Sequence, residues 1–351
     1  MQHGLTAKRL VIPVFLPQAG CPGRCSYCDQ PSVSAQRGLP SDAEVRDRVD
    51  AYLATAASSR HPFGEREIAF YGGSFTGLHP DEQARYLALA AEYRADGRVH
   101  AVRVSTHPAL VDPEVAARLA AAGVETIELG AQSSDDAVLA AAGRACTWSH
   151  VRRAVDDLRG AGLRVGLHLM AGLPGASRDA DVATARDAAA LAPDAVRLHP
   201  TLVLRGTPLE DELRAGRYVP LSLDEALERC GAMLAVLHEA GVEVIRVGLH
   251  GADDLGDALV AGPVHPSFGY LATSRALALR IAACIEALGA EGAFEVLASE
   301  RDRGAVLGPG RATWAGLEAR FPRARLALSF GPDLKRGVLV VRSGTGGPRT
   351  E

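Results

Sequence analysis

The 351-residue chain is 47% hydrophobic and carries a net charge of −4, enough apolar material for one large domain with an appendage. No run approaches the ~20 apolar residues of a membrane span, and the N-terminal MQHGLTAKRL lacks the apolar core of a secretory signal, so a cytoplasmic protein with no membrane partner is expected. The charge is uneven: residues 301–351 hold ten basic against four acidic side chains, and the first 300 stand at −10. A basic tail on an acidic body makes RNA a candidate partner.

Along the chain, short apolar runs alternate with longer helical patterns. The pattern predicts strands over Leu10–Leu16, Glu67–Tyr71, Ala101–Val104, Thr126–Leu129, Arg164–Met170, Ala195–Leu198 and Glu243–Gly248, separated by Ala-, Leu-, Arg- and Asp-rich helices. Ser41 stands three residues before Glu44 and Ser222 three before Glu225, each a capping-box start for a helix. A βαβ series demands parallel strands with right-handed crossovers, and this one is long enough for a barrel-like sheet. The expected fold is α/β: a partial (β/α)6-type TIM barrel over residues 1–290, followed by a small basic α/β region over 291–351. That region is predicted to hold strands Ala293–Ala298, Arg325–Phe330 and Gly337–Arg342 and a helix near Gly310–Phe321.

Unusual residues fall at the carboxyl ends of the predicted strands. Gly72-Gly73-Ser74-Phe75-Thr76 follows the second, Ser105-Thr106-His107-Pro108 the third, Gln132-Ser133 the fourth and Gly172-Leu173-Pro174-Gly175 the fifth. In a parallel barrel these ends share one mouth, where catalysis is placed.

The first strand is followed by GCPGRCSYCDQ, with Cys21, Cys25 and Cys28 on one short loop. Three thiolates there wrap three corners of a cubane iron-sulfur cluster and leave one iron open, because electron-transfer clusters use four. A zinc site that adds His3 or a distant histidine is the alternative, although zinc thiolates usually come as two close pairs. Cys146, Cys230 and Cys284 are single and lie in helical patterns, as packing cysteines do.

The cysteine spacing, Tyr27 before the last cysteine and FYGGSFTG together resemble the radical S-adenosylmethionine (SAM) superfamily. More narrowly, FLPQAGCPGRCSYCDQ, IELGAQSSDDAVLAAAGR, HLMAGLPG and LHPTLVLRGTPLEDELRAGRY resemble the radical SAM domain of the Elongator catalytic subunit family, from about Val11 to Tyr218. The resemblance implies a [4Fe-4S] cluster on Cys21, Cys25 and Cys28, with SAM on the open iron. It also implies an electron donor such as a flavodoxin or ferredoxin, and a 5′-deoxyadenosyl radical that abstracts hydrogen from a substrate. By the same resemblance Gly72 and Gly73 bring backbone to the SAM ammonium, and Ser74 or Thr76 adds a hydroxyl. Tyr27 meets adenine, Arg144 grips the carboxylate and His168 holds the ribose, with Phe75, Ser105, Gln132 and Ser133 completing the SAM contacts. His199, His250 and His265 are candidates for the substrate side of the mouth.

Two departures limit the resemblance. Too few residues follow Pro220 for the acetyltransferase-like domain of that family, and VIRVGLHGADDL and VAGPVHPSFGYL resemble a shorter, stand-alone Elongator-like branch. His168 stands where a related branch has an acidic residue. Modification of an RNA base is one reading. A small-molecule substrate such as a porphyrinogen and a non-enzymatic metal-binding module are the others.

Overall fold

A computed structural model describes residues 8–29, 38–58, 63–249 and 252–344. Strand β1 (Lys8–Phe15) leads through the cysteine loop to helix α1 (Asp42–Ala57). There follow β2 (Phe63–Tyr71), α2 (Pro80–Ala95), β3 (Ala101–Thr106), α3 (Pro113–Ala121) and β4 (Val124–Gln132). After α4 (Asp136–Ala141) and α5 (Trp148–Gly160) come β5 (Arg164–Ala171), α6 (Arg178–Ala190) and β6 (Ala195–Pro200). A short β7 (Val203–Leu204) and α7 (Pro208–Arg214) precede α8 (Leu223–Glu239) and β8 (Val244–Val247). Both capping boxes form: Ser41 N donates to Glu44 Oε2 at 2.8 Å and Ser222 N to Glu225 Oε2 at 2.9 Å.

The sheet has seven strands in the order β1-β2-β3-β4-β5-β6-β8, every neighbouring pair parallel. Chain order is kept because each crossover carries a helix, and β1 and β8 remain edges, so the barrel is partial. One strand face is apolar: Ile12, Val14, Ile68, Phe70, Val102, Val104, Ile127, Leu129, Val165, Leu167, Val196 and Leu198 pack beneath the helices in one buried core. The alternate positions of the same strands are polar and occupy the concave face. Most strands run longer than the sequence predicts, so Ser105, Thr106 and Gln132 lie in strands rather than after them.

Helix α9 (Phe268–Ala287) joins two cores. Ala272 and Ala276 pack into the barrel core, while Leu277, Ile281 and Ile285 pack against Phe294, Val296, Trp314, Leu317 and Phe321. Its length and composition would suit a membrane span, contrary to the expectation of no such run, but a helix serving two cores is apolar for that reason alone. The second core is covered by a three-stranded sheet of β10 (Gly292–Ser299), β11 (Ala324–Gly331) and β12 (Leu339–Ser343), after β9 (Leu259–Ala261) has paired with β7. Helices α10 (Arg303–Leu307) and α11 (Ala312–Arg320) complete it. Cys146 and Cys230 are buried as expected of packing cysteines, whereas Cys284 is exposed on α9.

Candidate active site

The cysteine loop is held at three places. Where it leaves β1, Leu16 N donates to Tyr71 O at 2.7 Å and Gln18 N to Gly72 O at 3.0 Å, while Ser74 N returns a bond to Ala19 O at 2.9 Å. Further on, Ser26 N donates to Ala142 O and Leu209 N to Ser26 O, each at 2.9 Å, which fixes the loop between the end of α4 and the start of α7. Gln18 Nε2 closes the loop on Cys28 O at 3.2 Å. Such backbone ties hold a short loop in one conformation without help from a core.

Gly73 explains the closeness of the first clamp. A Cβ there would lie 2.3 Å from Ala19 O and 2.5 Å from Leu16 O, so only glycine lets the two turns meet. Its missing side chain makes room for the cysteine loop. Gly72, at φ 92°, takes the left-handed conformation that starts this turn.

The thiol of Cys21 is exposed, those of Cys25 and Cys28 half-buried. Ser74 Oγ lies 3.4 Å from Cys21 Sγ, and Arg144 Nη1 donates to Cys25 Sγ at 3.3 Å. Among the described residues no three His, Cys, Asp or Glu side chains converge on one point as a single metal ion requires. A cubane asks less convergence, since each thiolate binds its own iron. Three soft thiolates on a clamped loop, with hydroxyl and guanidinium donors beside the sulfurs, are the donor set that such a cluster takes.

The other mouth residues divide. Arg144 also donates to Tyr27 OH at 3.2 Å and to Gly130 O, so its fork bridges the cysteine loop and β4, and its Nε has no partner. Tyr27 packs against two small apolar clusters, one of Val138, Ala142 and Leu173 and one of Val203, Leu209 and Tyr218, and burial holds its phenol protonated. Gln132, at φ 68° beyond a bulge in β4, keeps a buried Oε1 without a partner. Thr76 Oγ1 meets Thr106 Oγ1 at 2.5 Å, and half-buried Ser105 stands on β3 between Val104 and Thr106.

Two predicted contacts are spoken for elsewhere. The Phe75 ring is buried in the barrel core 5.4 Å from Phe70, because its single turn points that residue inward beneath α2. Ser133 Oγ faces Thr184 on α6 at 3.2 Å and accepts from Asp135 N at 3.1 Å, which makes it part of the start of α4. Of the histidines, His199 is buried on β6, His265 accepts from Ser267 N at 3.0 Å just before α9, and His250 lies outside the described residues, as does His3.

Sequence reasoning missed the layer beneath the mouth. On the concave face Arg103 Nη1 meets Glu128 Oε1 at 2.5 Å, and its Nη2 lies 2.8 Å from Glu67 Oε1. Arg197 grips Glu128 from the other side through Nε at 2.8 Å and Nη2 at 3.1 Å, and Nη2 also donates to Tyr71 OH at 2.8 Å. Burial works to raise the Glu128 carboxyl, but Arg197 and Arg103 more than reverse it and hold the group below its ordinary value. Above this layer the His168 and His199 rings stand edge to face at 4.5 Å. Burial pushes His168 down to about 4 and His199 well below its ordinary value, so both are neutral at pH 7. A signal existed: Val102-Arg103-Val104, Ile127-Glu128-Leu129 and Val196-Arg197-Leu198 each set one charge between two apolar residues, the alternation of a strand with one polar face.

A parallel half-barrel with a three-cysteine loop at the carboxyl end of its first strand defines an enzyme class. The radical SAM superfamily matches residues 15–188 and the radical SAM C-terminal domain matches residues 193–277. The chain belongs to the radical SAM superfamily, whose members bind a [4Fe-4S] cluster and SAM, and it is Elongator-like within it. It is 30% identical over 243 residues to a tRNA uridine(34) acetyltransferase of Dehalococcoides mccartyi, covering 60% of this chain and 52% of the relative. It is 23% identical over 209 residues to the uncharacterized protein YtqA of Bacillus subtilis, covering 59% and 63%. The archaeal Elp3 of Methanocaldococcus infernus, solved with residues 1–46 deleted, shares the fold with a TM-score of 0.63 at 19% identity, over 81% of this chain and 64% of that one. The chain spans about half the length of the curated acetyltransferases it matches.

Proposed function

We propose that Cys21, Cys25 and Cys28 hold the [4Fe-4S] cluster, that the enzyme cleaves SAM, and that its substrate is a base in tRNA. The observation that carries the reading is the cysteine loop, clamped by backbone bonds over the polar face of a parallel half-barrel. When bound, the cluster supplies one electron to SAM, and an electron-donating protein such as a flavodoxin or ferredoxin replenishes it.

The chain's own residues position and enclose. Arg144 sets a guanidinium fork beside Cys25, where it serves a carboxylate as well as the thiolate. Tyr27 closes the floor with an apolar ring, and Gln132 Oε1, buried and without a partner among the described residues, awaits a hydrogen bond from a polar ligand. Ser74 Oγ beside Cys21 and the Thr76–Thr106 hydroxyl pair line the opposite wall, with Gly72 and Ser105 at the same strand ends. The SAM roles of these side chains belong to the proposal, as do a division of the chain at 290/291 and a cytoplasmic location.

The tRNA substrate rests on the names of the relatives, about half of whose length this chain spans. The tail supports RNA less than its charge suggests. Arg320 and Arg323 pair with Glu286 and Glu291, which lie outside the tail and offset two of its six excess positive charges, while Arg336 pairs with Asp302 inside it. That pairing favours a small-molecule substrate as the second reading.

Anaerobically prepared protein should be brown with about four irons per chain, and each of Cys21→Ala, Cys25→Ala and Cys28→Ala should lose the colour. Reduced protein given SAM should release 5′-deoxyadenosine slowly. Absence of that product from fully loaded protein overturns the reading. tRNA titrated at several salt concentrations decides the substrate: RNA predicts affinity that falls steeply with salt, and no binding leaves the small molecule.

A further inference from the structure

The concave face carries more positive charge than its carboxylates balance. Arg9 at the β1 edge is satisfied by Glu65, its Nε donating to Oε2 at 2.8 Å. Glu67 and Glu128 then face Arg103, Arg197 and Arg246. Arg103 lies between the two carboxylates, and Arg197 takes Glu128 with both prongs. Arg246 stands in register beside Arg197 on the edge strand β8, half-buried. Among the described residues its side chain has no hydrogen bond and no carboxylate within 4 Å. Burial and the charge of Arg197 both work against its own charge, and the more distant Tyr71 and Glu128 offset this only in part.

Beside it, two imidazoles each hold one buried ring nitrogen without a partner among the described residues. His199 lies two residues beyond Arg197 on β6 and therefore on the same face, 8% exposed, with no partner for Nδ1. His168 Nε2 is buried and unpartnered next to it. The field of Arg246 reaches His199. A surplus guanidinium and two orphaned ring nitrogens on one concave wall, at the open edge of the sheet, are a donor set without its acceptor.

We propose that Arg246, His199 and His168 form a site for an oxyanion group of the substrate, a phosphate or a carboxylate. The proposal rests on the reading of this cavity as the active site and adds a chemical requirement on what enters it. The guanidinium supplies the counter-charge and a planar fork. Each neutral imidazole supplies one N–H, and the anion in turn relieves the unbalanced charge on β8.

The test is calorimetric titration of the full, anaerobically reconstituted chain with inorganic phosphate and, separately, acetate. One of the two should bind, and Arg246→Gln should weaken it at least about tenfold, the loss expected for a charged hydrogen bond. Arg246→Lys should retain part of the affinity, and His199→Asn should lose a few-fold. Arg325→Gln, exposed on β11, should change nothing. Far-UV circular dichroism checks the fold, and if Arg246→Gln does not fold the decision passes to His199→Asn. Wild-type protein that binds neither anion, or equal affinity in the folded Arg246 or His199 variant, overturns the proposal. Slow release of 5′-deoxyadenosine reports separately on the active-site reading. A chain that cleaves SAM but binds no anion overturns this inference alone, and the reverse result overturns only the proposed function.

Discussion

Gly73→Ala should strip iron from the protein while leaving the barrel folded. The new Cβ would start 2.3 Å from Ala19 O, 2.5 Å from Leu16 O and 2.9 Å from Ala19 N, where ordinary contacts begin near 3.4 Å. All three obstacles are backbone, so no side chain can swing aside and the cysteine loop must move by about 1 Å, at a cost of about 1–3 kcal/mol for overpacking. The hydrogen bonds from Leu16 N, Gln18 N and to Ala19 O are the ones that stretch. Cys21 is two residues from Ala19, so its thiol moves with them. The assay is iron per chain and cluster absorbance after anaerobic reconstitution, with thermal melting as a check on the fold. Gly97→Ala is the control: at φ 68° with nothing within 4 Å of its Cβ, it strains the backbone by about 1–2 kcal/mol but lies far from the cysteines. Full iron content in Gly73→Ala, or equal loss in Gly97→Ala, would refute the claim that this glycine exists to seat the loop.

Removing the shared carboxylate of the concave face should be costly. Glu128→Gln leaves Arg103 and Arg197 without their common partner, a loss of about 3–5 kcal/mol and roughly 10 °C in melting temperature, and a denaturant midpoint unchanged from wild type would count against it. Acid should destabilise the chain as well. Burial lowers His107 and His168 to about 4 from an ordinary 6.5, so the unfolded chain binds more protons between those values. Stability present above pH 6.5 is therefore lost as pH falls toward 4, by about 3 kcal/mol for each histidine. Asp181 works the other way, since burial raises it to about 6: the folded state binds its proton more readily, and that contribution is lost as pH rises from about 4 to 6. Urea unfolding at a series of pH values should show the two histidines outweighing the aspartate, and Asp181→Asn should steepen the fall in acid.

What was legible in the sequence is what chain order and covalent spacing decide. A βαβ series puts every strand's carboxyl end on one face, so residues as far apart as Cys21, Gly73, Gln132 and Arg144 had to meet at one mouth whatever their partners were. Partners are another matter, because they depend on which turn presses on which. A Gly-Gly turn announces a close approach without saying to what, and here the missing side chain of Gly73 brings the turn against Ala19 and Leu16. The arginine twelve residues beyond Gln132 arrives at the mouth, but its fork rests on Cys25, Tyr27 and Gly130.

The same limit governed charge. Arg103, Glu128 and Arg197 interrupt apolar runs, and a reading that follows apolar runs passes over them. Alternation assigns them to one face, but only the lateral order of β3, β4 and β6 brings opposite signs together. In the tail, counting from residue 301 left out Glu286 and Glu291, which pair with Arg320 and Arg323. Net charge is a property of a surface, and a boundary drawn in sequence cuts across ion pairs that the fold makes whole. Arg246 is the converse case: its charge is invisible in any segment total, yet it stands out once the concave face is assembled, because Arg103 and Arg197 there have a carboxylate and Arg246, among the described residues, has none within 4 Å.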